Sequence, residues 1–281
     1  MVQRDTLVRT LKILLTFGIA GLVIAFFVFM ERKIWSQAQR TGPLVLMDKP
    51  AWVSDAVVDK IYMAAGGQTF PLTQNTLIGI DKHLETVGWL ANRELQITTD
   101  RIVLRTTWRQ PIALVKSGTT HFYVDVNSVV LEPLPLSDLP LVAIKGVRVT
   151  RMPPKGQPFV QDDLQAAISL LSTMQLMDQH LVPEKPLLRD IDRIDVTNFR
   201  GHKQSKQPHI ILYAKDETPI HWGAELGASA QFLEASDEEK LGRLYGYYKE
   251  HGTLLGGVKY INLRELLEIP RPEQRVQPPS Y

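Results

Sequence analysis

Cysteine is absent from the chain, which removes disulfides, thiolate metal sites and thiol chemistry and leaves the redox compartment open. A charge excess is missing too. The 32 Lys and Arg against 30 Asp and Glu leave +2, too little for the concentrated basic face that nucleic acid requires. No Ser occupies a Gly-x-Ser-x-Gly elbow, and no histidine pair has His-Glu-x-x-His spacing. The stretch "GTLLGGVK" (Gly252–Lys259) approaches a phosphate loop but has Val258 where lysine must follow the glycine, and no Ser or Thr to hold magnesium. It reads as a helix end and a turn.

Weaker candidates fare no better. His202, His209 and His221 lack short ligand spacing and a carboxylate at a fixed offset, so they read as surface histidines rather than a metal site. Asp190 and Asp192 share one strand face while Asp195 points to the other, which suits the polar edge of a sheet better than paired catalytic carboxylates. The "HKQSK" run (His202–Lys206) reads as a solvated loop tip, with lipid headgroups or an acidic partner as its functional alternative. Trp89 and Trp108 read as packing residues. The expectation is a chain with no catalytic residue, no cofactor and no metal.

What the sequence does contain is an uncharged run of 18 residues, "ILLTFGIAGLVIAFFVFM" (Ile13–Met30), about the length of a membrane-spanning helix. A core helix needs a polar face, and a signal peptide has a shorter apolar region, although Ser36-Gln37-Ala38 is a passable cleavage site. Arg4, Arg9 and Lys12 precede the run, which places the N-terminus in the cytoplasm and the rest of the chain outside it, in a single-pass arrangement at the inner membrane. The expected organisation is therefore 1–12 cytoplasmic, 13–30 spanning and 31–43 linker, followed by folded modules at 44–116 and 117–269 and a Pro-rich disordered tail at 270–281.

The modules read as α+β. Leu44–Met47 is a short strand; Val57, Ile61 and Ala65 fall at helical spacing before Gly66-Gly67; Leu77, Ile80, Leu84 and Val87 mark a second helix. Leu95–Ile97, Ile102–Leu104 and Ile112–Val115 are strands, which gives strand, helix, helix, strand, strand. The second module is β-rich with flanking helices. It opens with the hairpin "HFYVDVNSVVLEP" (His121–Pro133), continues with a helix at Phe159–Leu181 and strands at Ile191–Val196, Ile210–Tyr213 and Ile220–Trp222, and closes with a helix behind the capping box Ser236/Glu239. A last strand, Val258–Leu263, follows Gly252. Being last, it is expected at or near a sheet edge, where an incoming strand can pair. Candidate partner-binding residues are Tyr247, Tyr248, Val258, Tyr260, Asn262 and Arg264; tyrosine is common at binding hot spots and equally common in cores.

Several stretches, in this order, resemble the FtsQ/DivIB family of bacterial cell-division proteins. "VGWLANRELQITTDRIVLRTTWRQPIALV" (Val87–Val115) is similar to the end of that family's POTRA domain. The hairpin resembles its "lvD.nGvvf" segment with Asn127-Ser128 in place of Asn-Gly, "DLPLVAIKGV" its "LPxixG" segment, and "YINLRE" (Tyr260–Glu265) its "yvDLRy" strand with Asn262 where Asp is usual. The resemblance implies a POTRA-like module, a β domain, and a non-enzymatic scaffold in septum assembly whose partners are divisome membrane proteins of the FtsB and FtsL type. That family adds a further strand after the Leu-Arg pair, and here "ELLEIP" precedes the prolines. It also implies that Asp125, beside the hairpin turn, orients the turn rather than doing acid–base work. A membrane-anchored, extracytoplasmic ligand-binding protein for envelope material is the alternative. An anchored hydrolase would need Asp190, Asp192 or His221 as its site.

Overall fold

Helix α1 covers residues 18–31, with exposed side chains throughout. In this computed structural model the described residues are 18–31, 40–137, 139 and 141–265. The chain divides into two compact units, one of residues up to Lys49 with 60–85 and 92–106, the other of 50–59, 86–91 and 107 onward.

The smaller sheet is built from β1 (Thr41–Leu46), β2 (Thr69–Pro71), β3 (Leu90–Ile97) and β4 (Ile102–Trp108), in the order β2-β1-β4-β3. β1 lies antiparallel to β2 and parallel to β4, with Leu44 opposite Ile102 and Leu46 opposite Leu104. A parallel pair needs a crossover, which α2 (Asp55–Ala65) and α3 (Gln74–Leu84) supply. α2 buries Val57, Ile61 and Ala65, one residue per turn, and stops where Gly66 takes φ 96°. α3 starts at Thr73, whose hydroxyl accepts from the Thr76 N–H at 3.3 Å, and buries Leu77, Ile80 and Leu84.

The larger sheet has eight strands in the order β12-β11-β10-β9-β8-β5-β6-β7. These are β5 (Pro111–Ser117), β6 (Thr120–Asp125), β7 (Val130–Leu131), β8 (Val142–Lys145), β9 (Ile191–Asp195), β10 (Ile210–Ala214), β11 (Pro219–Gly223) and β12 (Ile261–Asn262). β5, β8 and β9 run parallel, as do β11 and β12; the remaining pairs are antiparallel. Helices α4 (Asp162–Leu181) and α5 (Asp237–His251) share one core with this sheet, including Leu164, Ile168 and Leu171 with Ile144 and Ile194, and Leu244 and Tyr245 with Leu212 and Trp222. Each such large side chain contributes about 1.5–3 kcal/mol by leaving water. Asp178 ties the two helices to the turn before β9: it accepts from the N–H groups of Leu187 and Leu188, both at 3.0 Å, and from the Tyr245 hydroxyl at 2.8 Å. Burial first, and then the Asp178 carboxylate, push the Tyr245 phenol up, so it donates as a neutral hydroxyl.

Several expectations are corrected. The α+β architecture led by a transmembrane helix is replaced by two mixed sheets with five helices, because among the described residues no helix is long and apolar enough to cross a membrane. The described part of α1, residues 18–31, measures about 21 Å at the helical rise of about 1.5 Å per residue. Residues 13–17 of the run, the segment 1–12 and the tail 270–281 lie outside the described residues. The strand at Ile112–Val115 joins the larger sheet, where β5 pairs with β6 and β8, instead of completing the smaller one. Residues 41–43, read as linker, already belong to β1.

Candidate functional site

β12 is the last strand of the order, so one of its sides carries no partner among the described residues. Its register on β11 sets Ile220 opposite Ile261 and His221 opposite Asn262, and Leu263 donates its N–H to the His221 carbonyl at 3.1 Å. Backbone groups alternate sides along a strand. The backbone of Ile261 and Leu263 is therefore turned toward β11, and the N–H and C=O of Asn262 are turned outward. At the other edge, β7 is capped among the described residues. Val130 of β7 donates to Gln157 C=O at 2.9 Å and accepts from Gly156 N–H at 2.8 Å, while Val129 bridges Pro158.

The flanks of β12 are firmly held. Ile261 and Leu263 are fully buried, whereas Tyr260 is 37% exposed and stacks on the His221 ring at 5.6 Å. Burial, and secondarily the Arg264 charge, lower the His221 pKa from its usual value, so the imidazole is neutral at pH 7. Arg264 Nε meets Glu234 Oε1 at 2.7 Å, and the Arg264 carbonyl accepts from Ala235 N–H at 2.8 Å. Glu234 Oε2 also accepts from Lys240 Nζ at 2.7 Å and Ala224 N–H at 2.8 Å. Burial alone would raise the Glu234 carboxyl, but the bonds from Lys240, Ala224 and Arg264 outweigh it and hold the pKa below the usual carboxylate range. Gly223, at φ 97°, makes room for this carboxylate, which a Cβ would strike.

The expected partner-binding residues divide accordingly. Tyr260 and Asn262 lie at the open edge, and Val258 is half-buried beside the core. Arg264 is an anchor rather than a free contact. Tyr247 and Tyr248 are corrected: they are 7% and 2% exposed, Tyr247 stacking on His251 at 4.1 Å and Tyr248 donating to Lys185 C=O at 3.1 Å, so neither is available as a binding anchor.

Other candidates take structural roles. Asp125 Oδ1 accepts from the N–H groups of Asn127 at 2.9 Å and Val129 at 2.8 Å, organising a turn in which Ser128 adopts φ 61°. Asp190 accepts from Thr253 Oγ1 at 2.6 Å and Leu254 N–H at 2.9 Å, and Asp216 from Gly256 N–H at 2.6 Å. Internal carboxylates thus take the donors of the glycine-rich loop that a phosphate would need. Asp192 pairs with Arg193, and Asp195 accepts from Thr197 N–H at 2.7 Å. His202 bonds the Phe199 carbonyl and His209 packs edge-on against Phe232, away from a common centre with His221; among the described residues no acid or histidine cluster could hold a metal. Trp89 is buried against Trp52 and Tyr123. A cleft of about 330 Å³ opens in the second unit between the start of β5 and the end of α4, lined by Pro111, Ile112, Leu171 and Leu188, with Gln110, Gln175, Asp178 and Gln179 as its polar groups.

The Glu234–Lys240 pair was not legible in sequence: the two residues are six apart across a helix start, a spacing that marks no shared face. Compared with models of known families and with curated proteins, the chain matches none.

Proposed function

We propose that this chain is a non-catalytic assembly protein that acts in septum formation, as the resemblance to FtsQ/DivIB implies, and that recruits its partner by accepting a strand along the outer side of β12. The observation that carries this reading is the asymmetry of the larger sheet: at one edge β7 is capped by residues 156–158, and the other presents the backbone donor and acceptor of Asn262. Strand addition draws affinity from such main-chain groups, and Tyr260 lies next to them as a partly exposed aromatic. Divisome membrane proteins of the FtsB and FtsL type are the partners this reading names, with the bacterial envelope as its setting.

Proline at Asn262 tests the mode of docking. It removes an N–H that takes no part in the native ladder and, with the side chain, the Oδ1 that accepts from Arg264 N–H at 3.2 Å, so the thermal midpoint should fall only slightly, while partner capture weakens about tenfold for one lost hydrogen bond. Tyr260→Ala should weaken capture without unfolding the chain. If both variants fold and bind as the parent does, the edge is not the docking site. The cellular role is read by depletion: filamentous cells and midcell enrichment of a tagged copy support it, and normal septation with uniform localisation refutes it.

The cleft beside Pro111 favours a second reading, capture of a neutral apolar ligand of the envelope. Leu171→Trp, which fills that space, would then abolish ligand binding and leave partner capture intact.

A further inference from the structure

The cleft of about 330 Å³ beside Pro111 continues into a second hollow of about 300 Å³, and the two share Gln110, Pro111, Ile112, Gln175 and Gln179. Together they form one groove along the second half of α4, facing the start of β5. Leu188 lies toward one end of it, and Val126 and Leu176 lie toward the other. The last two are 58% and 57% exposed, so the aliphatic wall runs out to the surface. That shape follows a chain rather than enclosing a compact molecule.

The polar groups of the groove fall mostly on one face of α4. Ser172, Gln175 and Gln179 stand three and four residues apart, which sets them in a row down the helix, and Gln110 lies across from them. The Ser172 hydroxyl is buried and has no hydrogen-bond partner among the described residues; the side-chain amides of Gln110, Gln175 and Gln179 have none there either. A buried hydroxyl left unbonded costs stability, and a ligand that brings donors and acceptors relieves that cost. Charge is the second constraint. Among the described lining residues Asp178 alone carries a formal charge, and its carboxylate is spent on Leu187, Leu188 and Tyr245. The adjoining cation, Arg109, is paired with Asp125 at 3.4 Å. A charged ligand would enter without a counter-ion, so the complement of this lining is neutral.

From this juxtaposition we infer that the groove binds an extended, uncharged peptide segment of another protein, with its aliphatic side chains against Ile112, Leu171 and Leu188 and its backbone amides against Ser172, Gln175 and Gln179. The spacing agrees. Residues four apart on a helix are separated by about 6 Å along its axis, and backbone groups on one side of an extended chain recur every two residues, about 6.6 Å. Each glutamine amide offers both donors and an acceptor, so it can pair with a peptide unit through both. A lipid acyl chain would cover the aliphatic wall and leave the whole polar row unpaired. A proline-rich segment docks on aromatic rings, and among the described residues none lines this groove. The inference rests on the second reading above, that this cleft is a ligand site, and names its ligand class; it is independent of strand docking at β12.

A phage-displayed library of short random peptides, panned on the full chain after depletion on the double variant Gln175→Leu with Gln179→Leu, tests this. Leucine is close to glutamine in volume and in helix propensity, so the variants should unfold as the parent does. Enriched sequences are expected to be uncharged and aliphatic. Synthesised with blocked ends and a fluorophore, they should bind the parent in an anisotropy titration. Binding should weaken about fivefold in either single variant and about 25-fold in the double one, for one net hydrogen bond lost at each glutamine. Asn262→Pro should leave it unchanged. The inference is overturned if no peptide survives depletion, if the selected peptides are charged, or if Asn262→Pro weakens their binding. Nile red, a neutral apolar dye, separates the two levels of failure. Should no peptide be selected while the dye binds the parent and is expelled by Leu171→Trp, the cleft is a ligand site and the peptide alone is refuted. Should neither bind, both readings fall. Displacement of the selected peptide by one spanning residues 266–281 would overturn the inference in favour of the chain's own tail; Glu268, Arg271, Glu273 and Arg275 give that segment charges the groove does not match, so no competition is expected.

Discussion

Glu234→Ala is expected to destabilise the second unit by about 3–5 kcal/mol, the usual result of breaking a buried ion pair from one side. Lys240 is fully buried and Glu234 has a side-chain exposure of 3%; without the carboxylate, the ammonium retains, among the described residues, the face of Trp222, 5.2 Å away. Arg264 and the N–H of Ala224 lose their acceptor in the same step. Urea unfolding followed by tryptophan fluorescence measures the loss. Replacing both members, Glu234→Met with Lys240→Met, should recover most of it, because a buried pair and an apolar pair of similar volume are often nearly equivalent. If the double variant is as unstable as the single one, an orphaned charge is not the cause. The same group sets a pH dependence. Its pKa is depressed in the folded state, so its stabilisation is complete above the unfolded carboxylate value and is lost as pH falls through the folded one. The acid limb of a stability–pH curve should flatten in Glu234→Gln; an unchanged limb would assign it to other carboxylates.

Ile61→Asp should destabilise the first unit by on the order of 5 kcal/mol, combining the lost burial of a large aliphatic with the placement of a carboxyl where nothing bonds it. Ile61 is fully buried on α2, one turn from Val57 and one from Ala65. Ile61→Val, which removes one methylene, should lose only about 1 kcal/mol. Hydrogen exchange at the amides of β1 and β4 reports on this unit directly, and protection unchanged in Ile61→Asp would remove α2 from its core.

Local signals in the sequence located the helices well. Ser236 and Glu239 form the expected capping box, and Gly252 ends α5 at φ 71°. The strands that went unread are those whose evidence is distant. β2 has three residues and ends in proline, which leaves no alternation to detect. β8 lies within a Pro- and Leu-rich stretch, and it is the parallel pairing with β8, about thirty residues further on, that assigns β5 to the larger sheet. Along the chain, β5 simply follows β4, so it reads as a third strand of the same meander. Tyr247 shows the same limit at the site. It lies off the stripe of Leu241, Leu244 and Tyr248, and it is buried by its own helix end and by the return of the chain at Gly257, neither of which a helical period encodes. The turn role of Asp125 was readable because its partners are two and four residues away.

The capped edge at β7 also bears on how many neighbours the larger sheet can have. A sheet open at both ends can be extended by copies of itself without limit, each addition exposing a fresh edge. Here, among the described residues, β7 is capped through Val130, Gly156 and Gln157, which leaves β12 as the terminal strand with outward backbone groups. A strand that occupies β12 terminates growth, and two copies meeting through β12 would make a closed pair rather than a fibre. On the proposed reading, in which a partner strand adds at β12, one added strand for each chain is the expected stoichiometry.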